Sequence, residues 1–279
     1  MTNSKYLFLN MYDELYGDIQ FLCNSEVRIK LLKSLDESPK TMRELNDLVL
    51  LSYSSISNNL NKLMSIGFLT KSERKFYLTN MAYLNLINCL DFNNSIKVAD
   101  SFDNFLKTHD IGPLCDDSLK NLSSLIGARL VESVSVDIYK PHNEFKSLVE
   151  SSDSLKVIFP FLHPDYPKIV KNLLIKGVNI DLLINKDILP IFIENVGVDL
   201  LKESIDNGKL SLKYLTKELR LSLAVSNSFI SMGLFKSDGS FDQNRLIISQ
   251  EEESILWGNL LFEKHNDEAL FVKIDDRGL

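Results

Sequence analysis

Cysteine and glycine are scarce in this chain of 279 residues, which has three of the former and eleven of the latter. Cys23, Cys89 and Cys115 lie far apart in the sequence, which argues against a disulfide framework and against a close-spaced zinc site. We expect these cysteines to be small buried side chains. The glycines are spread thinly, and neither common type of glycine-rich phosphate loop is present.

Long apolar runs are also lacking. No stretch approaches the roughly 18 uninterrupted apolar residues of a membrane helix, and the first five residues lead into a mixed polar segment that does not resemble a signal peptide. We therefore expect no membrane partner and a cytoplasmic location. The composition, with 44% apolar and 25% charged residues, is typical of a globular chain with about two domains.

Positive charge is in deficit, because 31 Lys and Arg residues face 38 Asp and Glu residues and the formal net charge is −7. Proteins that coat nucleic acid without sequence preference are usually basic overall, so this class is disfavoured. Residues 25–80 are the exception, since nine basic residues there face six acidic ones. The basic module lies near the N-terminus.

Residues 25–90 have the pattern of a winged helix-turn-helix. Thr41 and Glu44 have the spacing of a capping box, and Ser52 is placed to cap the helix that follows a short turn. The predicted elements are helices at 26–35, 41–49 and 52–67, a hairpin of strands 68–71 and 75–78, and a helix at 80–90.

The third of these helices has the composition of a recognition helix, which presents its N-terminal residues to the major groove of DNA. Its exposed side is rich in hydroxyl and amide groups, which bond phosphates and base edges. Asn58 is the best candidate base reader, because an amide can pair with adenine in two places. The candidate DNA-binding residues are Tyr53, Ser54, Ser55, Ser57, Asn58, Asn61 and Lys62 on the helix, with Lys71, Arg74 and Lys75 on the wing.

The remainder of the chain predicts a second domain of the α/β class, so that the whole is a multidomain α+β protein. We expect an N-terminal helix at 1–24 that could be a dimer arm, a helical connector at 91–130, and an α/β regulatory domain at 131–279. A strand at 155–159, a helix at 166–176 and a strand at 179–184 form a βαβ unit, which predicts a parallel sheet. Further strands are expected at 210–214, 221–225, 229–235 and 245–248, with helices at 186–196, 198–207 and 251–265.

Small molecules bind to open α/β sheets in the crevice beyond the carboxyl ends of the strands. Two such ends are predicted near residues 159 and 184, and the polar and aromatic residues that follow them are candidate ligand-binding residues. They are Phe161, His163, Asp165, Tyr166, Asn185 and Lys186. His163 and Asp165 could be read as a metal or acid/base pair, but a turn around Pro164 explains them equally well. We expect no metal site, no catalytic residue and no cofactor.

Three stretches resemble the archaeal methanogenesis-regulator family of winged-helix transcription factors. They are Ser25–Leu32, Ser52–Thr70 and the C-terminal set 221–235, 246–249 and 253–262. The resemblance implies a DNA-binding regulator whose C-terminal part is a catalytically empty phospholipase-D-like domain. An active domain of that type has a His and a Lys two residues apart, and none of His109, His142, His163 and His265 is followed by such a lysine.

The sequence thus predicts a transcription regulator with double-stranded DNA, a second copy of itself and an unidentified small-molecule effector as partners. Two alternatives remain open. One is an enzyme built on the C-terminal domain, with the winged helix as a protein-interaction module. The other is an adaptor whose winged helix has lost DNA binding, which the acidic total charge and the single lysine on the recognition helix favour.

Overall fold

The computed structural model describes residue 17 and residues 20–274, and the chain divides into two compact units, Met1–Asn93 and Asn94–Leu279. The helix predicted over residues 1–24 lies mostly outside the described residues, of which 20–23 are helical. No helix in the described part of the chain has the length and apolar character needed to cross a membrane. The domain boundaries derived from the sequence stay predictions.

The N-terminal unit has the element order of a winged helix-turn-helix. Its elements are α1 (Glu26–Glu37), β1 (Lys40–Thr41), α2 (Met42–Val49), α3 (Tyr53–Ser65), β2 (Leu69–Ser72), β3 (Lys75–Leu78) and the first part of α4 (Asn80–Ser101). Strand β3 lies between β1 and β2 in a three-stranded antiparallel sheet. The predicted helices and hairpin are confirmed, whereas the short strand β1 was not predicted.

Local hydrogen bonds fix the helix ends in this unit. The Thr41 hydroxyl accepts from the Glu44 amide and the Glu44 carboxylate accepts from the Thr41 amide at 2.6 Å, which confirms the capping box. Leu50 ends α2 in a left-handed conformation with φ 51°. Ser52 then caps α3 by accepting from the Ser55 amide. The helices enclose an apolar core with Leu31, Leu32, Leu45, Ile56, Leu60, Leu63 and Phe76 at its centre.

Helix α4 is longer than predicted. The expected end near Leu90 is wrong, because the helix continues to Ser101. No glycine or proline occurs between residues 91 and 101, so nothing in this stretch breaks the helix. Ala82 and Leu86 belong to the core of the N-terminal unit, and Val98 belongs to a core of the second unit.

The second unit contains a mixed sheet with helices, and the predicted α/β class is confirmed. Its helices are the end of α4, α5 (Asp103–Thr108), α6 (Cys115–Lys120), α7 (Lys140–Glu150), α8 (Tyr166–Ile175), α9 (Leu189–Val196), α10 (Val198–Asp206) and α11 (Glu252–Asn266). Its strands are β4 (Arg129–Glu132), β5 (Ser154–Phe159), β6 (Asn179–Asn185), β7 (Leu210–Leu215), β8 (Leu221–Val225), β9 (Ile230–Leu234), β10 (Arg245–Ser249) and β11 (Leu270–Phe271).

The eight strands have the order β11-β7-β6-β5-β8-β9-β10-β4. The predicted parallel arrangement is confirmed for β5, β6 and β7, whose registers place Leu155 beside Ile180 and Ile180 beside Leu210. All other strand pairs in the sheet are antiparallel. Each predicted strand is present within two residues of its expected ends, and β4, β11 and α7 were not predicted.

Two apolar cores lie on opposite faces of this sheet, because successive strand residues point to opposite sides. Val157 belongs to one core and Ile158 to the other, and Leu182 and Leu183 alternate in the same way. The segment that was predicted as a connector contributes to the second core through the buried side chains Phe102, Phe105, Leu114 and Leu125.

Candidate functional site

The exposed side of α3 carries most of the predicted DNA-binding residues. Ile56, Leu60 and Leu63 are buried in the core and hold the opposite face of the helix. The side chains of Tyr53, Ser54, Ser57, Asn58, Asn61 and Lys62 are exposed, and Ser55 is half-buried. The first turn of α3 contains no acidic residue, so the partial positive charge at its N-terminus is not neutralised by a carboxylate within the helix.

The wing is a tight two-residue hairpin between β2 and β3. Glu73 and Arg74 occupy its tip with φ 48° and 67°, and both central residues of a type I′ turn require such left-handed values. Lys71, Arg74 and Lys75 are exposed. Lys71 Nζ lies 5.1 Å from the centroid of the Phe76 ring, so this cation is held beside the base of the wing.

A groove runs between α3 and the wing. It brings together five of the predicted residues, Tyr53, Ser54, Ser57, Asn61 and Lys71, with the side chains of Met42, Leu60, Met64 and Phe76. Sequence reasoning missed Met42, which precedes the turn and carries no polar group. Ser55, Asn58, Lys62, Arg74 and Lys75 do not line the groove.

Asn59 has a structural role that separates it from its neighbour Asn58. Its amide accepts from Arg28 Nε at 3.2 Å and donates to the Ser55 carbonyl at 2.9 Å. The Arg28 guanidinium also lies 3.8 Å from the centroid of the Phe21 ring. This arginine is therefore engaged within the unit and braces α3 from the side of α1.

The second unit contains a cavity of about 230 Å³ beyond the carboxyl end of β5. Phe161, His163 and Tyr166, three of the predicted ligand-binding residues, line it. Sequence reasoning missed the other lining residues, because they come from distant parts of the chain. They include Tyr139, His142 and Phe145 of the α7 region, Ser222 of β8, and the stretch 241–246.

Asn185 and Lys186 do not line this cavity. Asn185 is buried and its amide donates to the carbonyls of Pro160 and Leu219 at 2.9 and 3.3 Å, while its oxygen accepts from the Leu219 amide. Its hydrogen-bonding groups are thus used to hold two loops at the end of β6. Lys186 Nζ lies 6.0 Å from the Tyr214 ring centroid. The structure thus separates these two candidates from Phe161, His163 and Tyr166, and their role in ligand binding stays a prediction.

Buried charges form one wall of the cavity. Arg245 Nε donates to Asp242 Oδ2 at 2.6 Å, and His109 Nε2 lies 3.1 Å from the same oxygen. Burial alone would raise the pKa of Asp242, but hydrogen bonds from Arg245 and from the Asn244 amide outweigh it and hold the pKa below its ordinary value. Asp242 is therefore a buried carboxylate that fixes Arg245 at the cavity.

His142, His163 and Asp165 form a cluster, of which the two histidines line the cavity. His142 Nε2 lies 2.9 Å from Asp165 Oδ2, and the two imidazole rings are tilted by 30° with centroids 4.1 Å apart. The hydrogen bond from His142 lowers the pKa of Asp165. Burial, aided by the neighbouring His142, lowers the pKa of His163, and burial raises the pKa of Tyr166. Asp165 does not itself line the cavity but supports the two histidines from behind.

The expectation of buried cysteines is wrong. Cys23 is exposed, and Cys89 and Cys115 are only partly buried. The sulfur atoms of Cys23 and Cys89 lie 3.8 Å apart, although 66 residues separate them in the sequence. Burial and the neighbouring thiol raise the pKa of Cys89 to about 11, so this thiol is a weak nucleophile at neutral pH.

Solved structures resemble the chain only weakly. TrmBL2, described as an archaeal chromatin protein with a novel mode of DNA binding, is 15% identical, with 93% of this chain and 99% of that chain covered and a TM-score of 0.42. Phosphatidylserine synthase of Haemophilus influenzae Rd KW20 is 11% identical, with 52% and 40% covered and a TM-score of 0.41. At these scores neither likeness establishes a fold or a function.

Sequence relatives are more informative. The methanogenesis regulatory protein FilR1 of Methanothrix harundinacea (strain 6Ac) is 22% identical over 251 residues, which are 88% of this chain and 56% of that protein. The chain thus spans about half the length of this relative. Family models of the FilR1 N-terminal domain and middle domain match residues 16–96 and 138–268. These two models together match more than half of the chain, which therefore belongs to the FilR1 family of methanogenesis regulatory proteins.

Proposed function

We propose that this chain is a sequence-specific DNA-binding transcription regulator that acts in the cytoplasm. In this proposal α3 enters the major groove of double-stranded DNA, the wing contacts the phosphate backbone, and the second unit responds to a small molecule. The relative FilR1 is named a methanogenesis regulatory protein, which is consistent with this proposal, and the chain spans about half of that protein.

The observation that carries the proposal is the polar, acid-free exposed face of α3 beside a cationic wing. A recognition helix needs side chains that can bond base edges, and Ser57, Asn58 and Asn61 offer hydroxyl and amide groups there. A wing that contacts the DNA backbone needs exposed cations to neutralise phosphates, and Lys71, Arg74 and Lys75 supply them. Both sets are exposed and therefore available to a partner.

The conformation of the wing tip supports the same conclusion. A left-handed backbone costs a residue with a side chain roughly 1–2 kcal/mol, and glycine avoids this cost. Arg74 nevertheless holds φ 67° at a solvent-exposed turn where nothing in the apolar core requires it. An arginine at this position is explained if its guanidinium is used, and a phosphate is the partner that the rest of the surface favours.

The second unit supplies the regulatory part of the proposal. Its cavity combines aromatic walls with a fixed arginine and two histidines, which is the usual construction of a small-molecule site. We infer that an effector seated there changes DNA affinity through its differential binding to two states of the protein. We also propose that this domain is phospholipase-D-like and lacks catalytic activity.

Dimerisation also belongs to the proposal. Met81, Leu84 and Ile87 recur every three residues along α4, and their side chains are 61%, 52% and 39% exposed. Leu256 and Leu260 form a second exposed apolar pair on α11. Apolar surfaces of this kind favour contact with a second copy, and a dimer would double the number of base contacts on a palindromic site.

The decisive experiment is selection of genomic fragments by the purified chain, followed by affinity measurement at two salt concentrations. We expect a short palindromic site whose affinity falls steeply with salt, because the log of the affinity changes by about −0.9 per neutralised phosphate for each log unit of salt. Promoters of methanogenesis genes are the first fragments to compare, given the relative's name.

The outcomes separate the three function classes. Enrichment of one site supports the regulator. Salt-sensitive binding without any enriched sequence would reduce the proposal to a non-specific DNA-binding protein. Negligible affinity at low salt, with and without a mixture of small metabolites, would overturn DNA binding and favour an adaptor. Turnover of a metabolite in the same mixture would favour the enzyme.

A further inference from the structure

Two histidines and one aspartate converge at the cavity of the second unit. His142 lies in the first turn of α7, and His163 and Asp165 lie on the loop between β5 and α8. Each of the three side chains offers a ligand atom, and these atoms all lie within 4.8 Å of one another. All three residues are half-buried, and the two histidines line the cavity while Asp165 lies next to them.

We propose that these three residues form a binding site for a first-row divalent transition-metal ion such as Zn²⁺ or Fe²⁺. Two imidazoles and one carboxylate are the donors that these ions prefer over Mg²⁺ or Ca²⁺, which select oxygen ligands. The inference goes beyond the proposed function, because metal binding requires neither DNA nor an effector.

The distance between His142 and Asp165 suits two ligands of one ion. With bonds of about 2.1 Å, adjacent ligands stand about 3.0 Å apart in octahedral coordination and about 3.4 Å apart in the tetrahedral coordination usual for Zn²⁺. His142 Nε2 lies 2.9 Å from Asp165 Oδ2, close to both values. The ion would replace the proton now held between these atoms. No large movement is required of either side chain.

His163 completes the set from the facing side. The Asp165 amide donates to His163 Nδ1 at 3.2 Å, so coordination through this nitrogen would replace that hydrogen bond. The centroids of the His142 and His163 rings lie 4.1 Å apart with a tilt of 30°, which keeps the two imidazoles next to each other. A ligand atom of His163 lies within 4.8 Å of those of His142 and Asp165, so the half-buried His163 ring must shift to reach bonding distance of a shared ion.

Three protein ligands leave coordination positions open. Because the histidines line the cavity, the open positions face the space that is also bordered by Tyr139, Asn244 and Arg245. Water, or an anionic group of a bound molecule, would occupy them. An ion held by the two histidines would therefore be accessible to a molecule in the cavity.

One nearby positive charge repels a metal ion at this site, so its removal should increase the affinity for the ion. Lys146 Nζ lies 3.7 Å from Asp165 Oδ2, and its side chain is 38% exposed. A cation at this distance competes with the metal for the same oxygen. Replacement of Lys146 by Met should therefore increase the affinity for the metal ion. If the cluster only served to pair Asp165 with cations, the same replacement would not increase that affinity.

The test is calorimetric titration of the full chain, freed of metal by a chelator, with Zn²⁺ and with Co²⁺. We expect one ion per chain and visible d–d absorption for Co²⁺. His163→Ala and Asp165→Asn should each lower the affinity at least about tenfold, since even outer-shell changes have effects of that size. Lys146→Met should raise it.

The controls keep the result interpretable. The close pair of thiols at Cys23 and Cys89 could also bind these ions. Cys23→Ser with Cys89→Ser should leave the affinity unchanged if the ion is held by the histidines and Asp165. Asp165→Asn and Lys146→Met preserve size, and circular dichroism will show that they fold. Absence of binding by either ion, unchanged affinity in His163→Ala and Asp165→Asn, or loss in the cysteine variant would overturn the site. DNA binding without added metal would remain testable separately.

Discussion

The two units of the chain differ in where they keep their polar side chains. Among described residues of the N-terminal unit, every buried side chain is apolar, and the polar groups lie on the surface. The second unit buries charged and polar residues, including His109, Asn185 and Asp242. Buried polar groups are costly unless they are paired, and these three are hydrogen-bonded within the second unit.

The difference teaches where each unit does its chemistry. The N-terminal unit exposes Asn58 and Arg74 on its surface, which suits the proposed contact with DNA. The second unit places Arg245 and His163 around a cavity, which suits the proposed small-molecule effector. Substitutions of the exposed residues in the N-terminal unit should have little effect on its stability. Substitutions around the cavity of the second unit should affect stability as well as binding, because those residues are packed in the fold.

The largest expected effect tests the packing of the second unit. A Cβ at Gly258 of α11 would lie 2.4 Å from Ile230 Cδ1 and 3.1 Å from Val225 Cγ2. Gly258→Ala should lower the free energy of unfolding by about 3 kcal/mol through overpacking. Ile230→Val removes the clashing methyl group and should restore part of the loss, measured by urea denaturation as a double-mutant cycle. Additive losses would show that the helix does not approach the sheet this closely.

The second prediction tests DNA binding by the wing of the N-terminal unit. Arg74→Ala with Lys75→Ala should weaken DNA binding on the order of tenfold or more and reduce the salt slope by about 2 per module, because two phosphate contacts are lost. Lys33→Ala is the matched control, since its ammonium is paired with Asp36 at 3.0 Å. Filter-binding titrations at several salt concentrations give both values. An unchanged slope would remove the wing from the interface.

The third prediction concerns sequence discrimination. Asn58→Ala should lower the preference for the selected site over random DNA by about 1–3 kcal/mol and leave non-specific affinity unchanged, because a base contact is lost and phosphate contacts are kept. Asn85→Ala is the control, since this exposed asparagine donates to the Met81 carbonyl within α4. Equal preference in both variants would show that Asn58 is not the reader.

The fourth prediction separates stability from binding at one residue. Arg74→Gly should raise the free energy of unfolding by about 1 kcal/mol through relief of the left-handed backbone, and it should weaken DNA binding. Leu50→Gly is matched to it, because Leu50 also has a left-handed φ of 51° and is 86% exposed without charge. We expect this variant to gain stability without losing affinity. A loss of affinity in both would trace the effect to flexibility and not to charge.

The smallest expected effect is a pH dependence in the second unit. Burial lowers the pKa of His265, and its hydrogen bond with the Pro113 carbonyl only partly offsets this. Below the unfolded pKa of about 6.5 the unfolded chain binds the proton more readily than the folded chain, so stability falls as pH decreases. Denaturant midpoints between about pH 7.5 and 5.5 should fall less in His265→Gln than in the unchanged chain. Parallel curves would contradict this assignment.

Local features were the ones that the sequence made predictable. The capping box of Thr41 and Glu44 depends on residues three apart, and the strands of the sheet depend on short apolar runs. The conformation of Asn185 was not predictable in the same way, since the end of a strand does not reveal whether a side chain points to a pocket or ties down a loop.

Contacts between distant residues were not predictable from one sequence. His142 reaches Asp165 across 23 positions, His109 reaches Asp242 across 133, and Cys23 reaches Cys89 across 66. Each depends on how a helix is placed on the rest of its unit, which periodicity does not determine. The loop residues His163 and Asp165 were visible in the sequence, but their partner His142 lies in a helix that was not predicted.

The two outer strands of the large sheet also bear on assembly. At one edge β11 is only two residues long, and at the other β4 has four residues with Arg129 and Glu132 at its ends. Short and charged edges give an approaching strand few backbone groups to pair with, which is how natural sheets avoid joining edge to edge. Copies of this chain are therefore expected to meet through helical surfaces, which can separate again, and not through continuation of the sheet into a fibre.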